Sequence, residues 1–288
     1  MNSTQIIKDI KNLKIQGAEN IAKVSLQLLK SESKRHDINK LKSISLKLIN
    51  TRPTEPCLRN SIKYVFYESS EASDVLRKCN LALNHFAFAD DKISEIGAKK
   101  ISNNMVIFTH CHSSTVIEIL KRAKSQGKRF KVFCTETRPR LQGRKTAKEL
   151  IDAGIDVTLF VDSGMRIALK GSDLCLIGSD AITTEGKVIN KIGSEVVAMI
   201  CDSFDIPLYS CTNSWKFDPK TIFGYEEEIE RRSDKEIWQK PPKGLKISNY
   251  AFEKVKPDYV SGIISEIGIY KPCVFVEELR HHYPWLYE

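Results

Sequence analysis

Long apolar runs are missing from this chain of 288 residues: the longest covers six, Val196 to Cys201, where a membrane-spanning helix needs roughly 20. The start, Met1-Asn2-Ser3-Thr4-Gln5-Ile6-Ile7-Lys8, has no signal-peptide apolar core. A soluble, cytoplasmic protein with no membrane contact is expected. There are eight cysteines but no pair at C-x-x-C spacing, which leaves zinc-ribbon and dithiol redox motifs without support. In a reducing compartment they are expected to stay thiols, most of them small core hydrophobes. Neither G-x-G-x-x-G after the first strand nor G-x-x-x-x-G-K-[ST] occurs, so dinucleotide and Walker-type nucleotide sites are not supported. Internal repeats and low-complexity segments are also lacking.

What is present suits a core: 41% hydrophobic residues against 28% charged, a balance that argues against global disorder. Basic residues outnumber acidic ones by 45 to 36, and residues 1–100 hold 18 of the basic and 11 of the acidic. That basic first third is compatible with nucleic acid or anions. Its lysines are scattered along helical patterns without interleaved aromatics, so a solvated surface is the better account and nucleic acid is not the expected partner.

The first third reads as helical. Ile21, Val24, Leu28 and Leu29 share one face, as do Ile44, Leu48 and Ile49, with Leu46 fitting less well. Gly17 separates the first two stretches, Thr51-Arg52-Pro53-Thr54 breaks the third, and a long pattern from about Glu71 to Ile101 carries Val75, Leu81, Ile93 and Ile96. After Asn104 the period changes. Met105–Thr109, Phe130–Cys134, Val157–Val161, Leu174–Ile177 and Pro207–Ser210 read as strands. Between them lie helices with Val116, Ile119, Leu120 and Ala123 on one face, then Ala147, Leu150 and Ile151 facing inward before Gly154, then Val196, Val197 and Ile200. Strand–helix alternation implies right-handed crossovers. The expected architecture is α/β: a helical N-terminal domain over residues 1–103, then a Rossmann-like, mostly parallel, doubly wound sheet over residues 104–288.

Open parallel sheets bind ligands beyond the carboxyl ends of their strands. The segments there are Thr109-His110-Cys111-His112-Ser113-Ser114-Thr115, Thr135-Glu136-Thr137-Arg138, Asp162-Ser163, Gly178-Ser179-Asp180 and Thr212-Asn213-Ser214-Trp215-Lys216. Each has a plain structural explanation as well. One of Ser113, Ser114 and Thr115 caps a helix, which is compatible with the same N–H groups holding a phosphate. His110 and His112 beside Cys111 look like a metal cluster, but no further ligand spacing supports one. Cys111 just before a helix N-terminus would feel a field that favours thiolate and lowers its pKa, or would be a buried structural thiol. Asp180 caps a turn or takes part in chemistry; Lys191 is a surface lysine or a ligand. Their shared position raises all of them, and the inventory suits acid/base chemistry on a small phosphorylated molecule.

Ordered blocks then carry a family resemblance. They are Thr109-His110-Cys111-His112-Ser113-Ser114, Thr135-Glu136-Thr137-Arg138-Pro139-Arg140-Leu141-Gln142-Gly143, and Gly178-Ser179-Asp180 followed by Asn190-Lys191-Ile192-Gly193. Thr51-Arg52-Pro53-Thr54, Trp215-Lys216-Phe217 and the stretch from Asn249-Tyr250-Ala251-Phe252 to Ile267-Gly268 extend the match over nearly the whole chain. The sequence resembles the superfamily of archaeal ribose 1,5-bisphosphate isomerase, methylthioribose 1-phosphate isomerase and the regulatory subunits of translation initiation factor 2B. It is most similar to the bisphosphate isomerases: it keeps both Cys111 and Asp180, lacks a Gly/Ala-rich helix opening at Ser113–Glu118, and carries a similar stretch at Glu228–Trp238. It departs from the family at Gln16-Gly17-Ala18, where Arg-Gly-Ala is usual, at Ser179, where Ala is common, and at His112, where Asn is common. Gln brings no charge to a phosphate.

The resemblance implies conversion of α-ribose 1,5-bisphosphate to ribulose 1,5-bisphosphate, linking AMP salvage to a Rubisco. Cys111 would be the proton acceptor and Asp180 the proton donor. Two phosphates carry a charge of about −4, to be met by Arg52, Lys191, Lys216 and the helix start at Ser113, Ser114 and Thr115, with Asn190 and Gln16 as neutral donors and Gly17 allowing close approach. It implies no metal and no cofactor, AMP as an activator, and a homo-oligomer of dimers forming a hexamer. The competing expectation is a non-catalytic subunit, resembling those of the initiation factor, that senses a sugar phosphate or nucleotide with the same crevice.

Overall fold

Five helices open the chain: α1 (Ser3–Lys11), α2 (Ala18–Glu32), α3 (Ile38–Ile49), α4 (Pro56–Phe66) and α5 (Ala72–Ala98). The computed structural model describes residues 3–226 and 229–288, so Glu228, which opens the stretch noted above, lies outside the described residues. Local chemistry sets the starts. Asp37 accepts from the Lys40 N–H at the head of α3, Pro56 stands in the first turn of α4, and Glu71 with Asp74 forms a reciprocal capping box on α5. Ile21, Leu28 and Leu29 of α2 pack with Leu41, Leu48, Leu58 and Phe86 in one core. Helix α4 has no clean apolar stripe, because its buried face includes Asn60 and Ser61. Asn60 is satisfied there by donating to the carbonyls of Trp215 and Phe217. Leu81, placed on the long helical pattern, is 44% exposed.

The rest alternates: β1 (Val106–Thr109), α6 (Ser114–Ser125), β2 (Lys131–Thr135), α7 (Gln142–Asp152), β3 (Asp156–Phe160), α8 (Met165–Lys170), β4 (Leu174–Gly178), β5 (Ala181–Ile182), β6 (Val188–Lys191), α9 (Ser194–Ser203), β7 (Leu208–Cys211), β8 (Phe252–Val255), β9 (Gly262–Ser265), β10 (Gly268–Tyr270) and α10 (Pro272–His282). Seven strands form one sheet in the order β10-β9-β7-β4-β1-β2-β3. All its pairs are parallel except β9 with β10. This is the expected doubly wound α/β fold with its helical N-terminal part.

Both faces of the sheet are covered, which is why its central strands are largely apolar. Phe108, Cys175, Ile177 and Ile263 face a core with α8, α9 and α10. Ile107, Leu174, Leu176 and Ile264 face the second half of α5 together with α6 and α7. Ile151, expected inward on α7, is instead 58% exposed. That helix lies over the edge of the sheet at β3 and buries only a narrow face, with Ala147 and Leu150 on it. Among the described residues, no helix is long and apolar enough to cross a membrane.

Strand order reverses between β1 and β4, so the crevice at their carboxyl ends is the topological switch point. A second, antiparallel sheet, β5-β6-β8, stands beside it and carries Asn190 and Lys191 at the end of β6.

Candidate active site

A cavity of about 810 Å³ occupies the switch point. Its lining brings together Gln16, Gly17, Arg52, Cys111, Ser113, Ser114, Asp180, Asn190, Lys191 and Lys216. Thr115 is the exception among the anticipated residues. It follows Ser113 and Ser114 into the first turn of α6, where its side chain is buried and is not part of the lining.

Cys111 follows β1 in a left-handed conformation with φ of 69°, which costs a non-glycine residue roughly 1–2 kcal/mol. Two threonines hold it there. The Cys111 N–H donates to Thr137 Oγ1 at 3.0 Å, and Thr146 Oγ1 donates to the Cys111 carbonyl at 2.7 Å. Thr137 is fixed in turn, because its own N–H and that of Arg138 donate to Asp162. The loops after β1, β2 and β3 are thereby laced together around one thiol held in a strained backbone conformation. Ser113 caps α6 by accepting from the Val116 N–H. A Cβ on Gly178 would stand 2.7 Å from Ser113 Oγ, so glycine is what lets the end of β4 approach the start of α6.

Asp180 sits two residues beyond β4, its N–H bound to the Ile189 carbonyl at 2.8 Å. Lys216 is brought beside it by donating to the Ser179 carbonyl at 2.7 Å. Lys191, buried rather than on the surface, lies with Nζ 4.8 Å from the Phe252 ring centroid. Asn190 donates to Ser194 Oγ. Arg52 is also buried and donates to Glu55 at 2.8 Å and Glu230 at 2.9 Å. Gln16 turns its amide to the Leu13 carbonyl, and Gly17 precedes α2 with φ of 87°.

The electrostatics correct one expectation. Cys111 is not shifted towards thiolate: burial pushes its thiol up to about 11, against the pull of the Lys191 charge and a hydrogen bond from the His112 N–H. Removing water from the sulfur outweighs the field at the helix start. Burial likewise raises Asp180, opposed by Lys216, Lys191, Arg52 and Arg232. Lys191 is lowered by burial, with Cys111 and Asp180 working the other way. His110 is kept neutral by burial. Its Nε2–H donates to the Ile192 carbonyl at 2.9 Å and Nδ1 accepts from Thr135 Oγ1, so both ring nitrogens already have protein partners.

Several lining residues had not been singled out: Glu19, Lys23, Glu55, Asp90 and Arg232. Glu19 is pushed up by burial but held low overall by Lys216, Lys23 and its bond with Asn213. Glu55 is pushed up to about 7, by burial first and then by the charge of Asp180, with Arg52 opposing. The only local signal for Glu55 was its place three residues after Arg52.

The sequence profile of the initiation factor 2 subunit family matches residues 14–272. The chain is 37% identical over 302 residues to the ribose 1,5-bisphosphate isomerase of Methanocaldococcus jannaschii, covering 99% of this chain and 98% of that relative. It is 36% identical over 307 residues to the protein of the same name from Pyrococcus furiosus, covering 99% and 95%. The structure of translation initiation factor eIF-2B from Pyrococcus horikoshii OT3 superposes with a TM-score of 0.86 at 27% identity, covering 95% of this chain and 98% of that one. The 5-methylthioribose 1-phosphate isomerase of the same organism shares the fold at a TM-score of 0.78 and 21% identity, covering 97% and 88%. With its doubly wound sheet, its helical N-terminal part and a family match over most of its length, the chain belongs to the initiation factor 2 subunit family.

Proposed function

We propose that the chain isomerises α-ribose 1,5-bisphosphate to ribulose 1,5-bisphosphate. The observation that carries this is the placement of Cys111 and Asp180 at the ends of adjacent strands, in one cavity with Arg52, Lys191, Lys216 and Arg232. Full-length relatives bearing that activity in their names support it.

The anomeric oxygen carries a phosphate, so ring opening needs an acid at the ring oxygen rather than loss of a hydroxyl proton. Asp180 gives its proton to the ring oxygen as the bond to carbon 1 breaks. Cys111 thiolate removes the proton from carbon 2, leaving an enol between carbons 1 and 2. The same proton passes from sulfur to carbon 1, and the carbon 2 hydroxyl proton returns to Asp180, giving the ketone. Protons balance, and both side chains end as they began. The working state therefore has one proton on the pair, held by Asp180. The raised positions of both groups keep at least one proton in the site at neutral pH, and the Lys191 charge favours moving it off sulfur.

Incubating the purified protein with ribose 1,5-bisphosphate and assaying ribulose 1,5-bisphosphate tests the proposal; absence of turnover, with stable binding to an initiation factor, would replace it by a regulatory subunit. Lys216→Ala should raise KM by about 10–100-fold, since a charge-assisted phosphate contact contributes roughly 1.5–3 kcal/mol. An unchanged KM would remove Lys216 from the phosphate contacts. A bisphosphate does not cross a bilayer unaided, so the enzyme is proposed to work in the cytoplasm. AMP is proposed as activator, to be checked by turnover with and without it. A hexamer built from dimers is proposed as the assembly, and light scattering showing a monomer would refute it.

A further inference from the structure

Arg232 has a buried cationic head with donors left over. Its side chain is 7% exposed, yet Nε and Nη1 have no hydrogen-bond partner among the described residues. Nε stands 3.3 Å from Glu230 Oε1 without the alignment of a hydrogen bond. Buried donors on a charged group are costly when unmade, by roughly 1–3 kcal/mol or more each, and are retained where something fills them. The guanidinium is not loose. Its residue donates from the backbone N–H to the Asn249 carbonyl, and the Ala251 N–H donates to the Glu230 carbonyl, both at 2.9 Å. That clip continues into β8, which pairs with β6 so that Lys191 stands opposite Phe252. Arg232 Cζ lies 5.9 Å and Lys191 Nζ 4.8 Å from the centroid of that one Phe252 ring. Two cations from two backbone segments thus flank one aromatic ring on the wall that also holds Cys111 and Asp180.

We infer that Arg232, with Lys191, binds the phosphate on carbon 1 of the substrate. This deepens the isomerase proposal and rests on it for the identity of the sugar. A planar guanidinium with two open N–H groups suits two phosphate oxygens, and Glu230, shared with Arg52, keeps the head from swinging away. The choice of phosphate follows from reach. The charges of Arg232 and Lys191 both act on Cys111 and on Asp180. Those two side chains must bracket carbons 1 and 2 and the ring oxygen, so the phosphate within reach of the same cations is the one on the reacting end.

Calorimetric titration of ribose 1-phosphate and ribose 5-phosphate, each alone, into wild type, Arg232→Met and Arg232→Lys separates this from general damage to the cavity. For Arg232→Met, the Kd of ribose 1-phosphate should rise about 10–100-fold and that of ribose 5-phosphate should change little, with Arg232→Lys in between. Equal weakening of both ligands, weakening of ribose 5-phosphate alone, or no weakening would each overturn the assignment. If the isomerase proposal fails, wild type shows no turnover, and the binding comparison still reads Arg232; binding of neither monophosphate to wild type would overturn the Arg232 assignment, while turnover of the bisphosphate alone decides the isomerase proposal.

Discussion

Cys111→Ser and Asp180→Asn should each lower turnover of ribose 1,5-bisphosphate by at least about 10²–10⁴-fold, the usual contribution of a general acid or base. Both substitutions nearly preserve shape. Serine cannot be a comparable base, since the hydroxyl holds its proton far more tightly than a thiol, and asparagine cannot give a proton to the ring oxygen. Binding should survive, because the cations proposed to meet the phosphates sit on other segments: Arg52 after α3, Lys191 on β6 and Lys216 after β7. Calorimetry with ribulose 1,5-bisphosphate should therefore return a Kd within a few-fold of wild type for both variants. Cys134→Ser is the control. Cys134 is buried on β2 but outside the cavity lining, so its loss can affect stability without touching proton transfer. Near-normal turnover in Cys111→Ser would sink the acid/base assignment and require another base in the cavity.

Fold class was legible because it depends on period and order. Strands such as Val106–Thr109 and Leu174–Gly178 announce themselves as short apolar runs, since both sheet faces are buried. The small sheet was not legible. Its strands β5, β6 and β8 are two to four residues long, and Val188-Ile189-Asn190-Lys191 mixes apolar with polar because its last two positions serve the cavity. Helix α4 was lost for a related reason: Asn60 is buried to satisfy carbonyls far away in sequence. At the site, residues just after strands could be found from topology alone, and that rule reaches Cys111, Asp180 and Lys216. Arg232 and Glu55 obey no such rule. Arg232 stands in an irregular charged segment in which neighbouring arginines look alike on paper, and only the fold buries this one. The ionisation of Cys111 was misjudged because sequence reveals a helix start but not the dry wall around the sulfur.

Glu55 should make stability fall as pH rises, and Glu55→Gln should abolish that part of the dependence. The carboxyl is buried, with Oε1 accepting from Arg52 and Oε2 without a partner among the described residues. Its pKa is about 7 in the folded protein against an ordinary 4.5, so between those pH values the folded chain holds a proton that the unfolded chain has released. Raising pH through the window then favours unfolding. The contribution is fully present below about 4.5 and lost as pH passes about 7, a change on the order of 3 kcal/mol at 1.36 kcal/mol per unit. Glutamine keeps an acceptor for Arg52 and has nothing to ionise. Urea unfolding at pH 5 and pH 8 should accordingly show Glu55→Gln gaining on wild type by about 3 kcal/mol at the higher pH. Asp180 provides an internal check, because its charge is the second cause of the Glu55 shift. In Asp180→Asn the wild-type pH window should contract towards 4.5, as two neighbouring carboxylates no longer compete for one proton. Parallel stability profiles for wild type and Glu55→Gln across that window would show that Glu55 ionises normally and that the cavity admits enough water to solvate it.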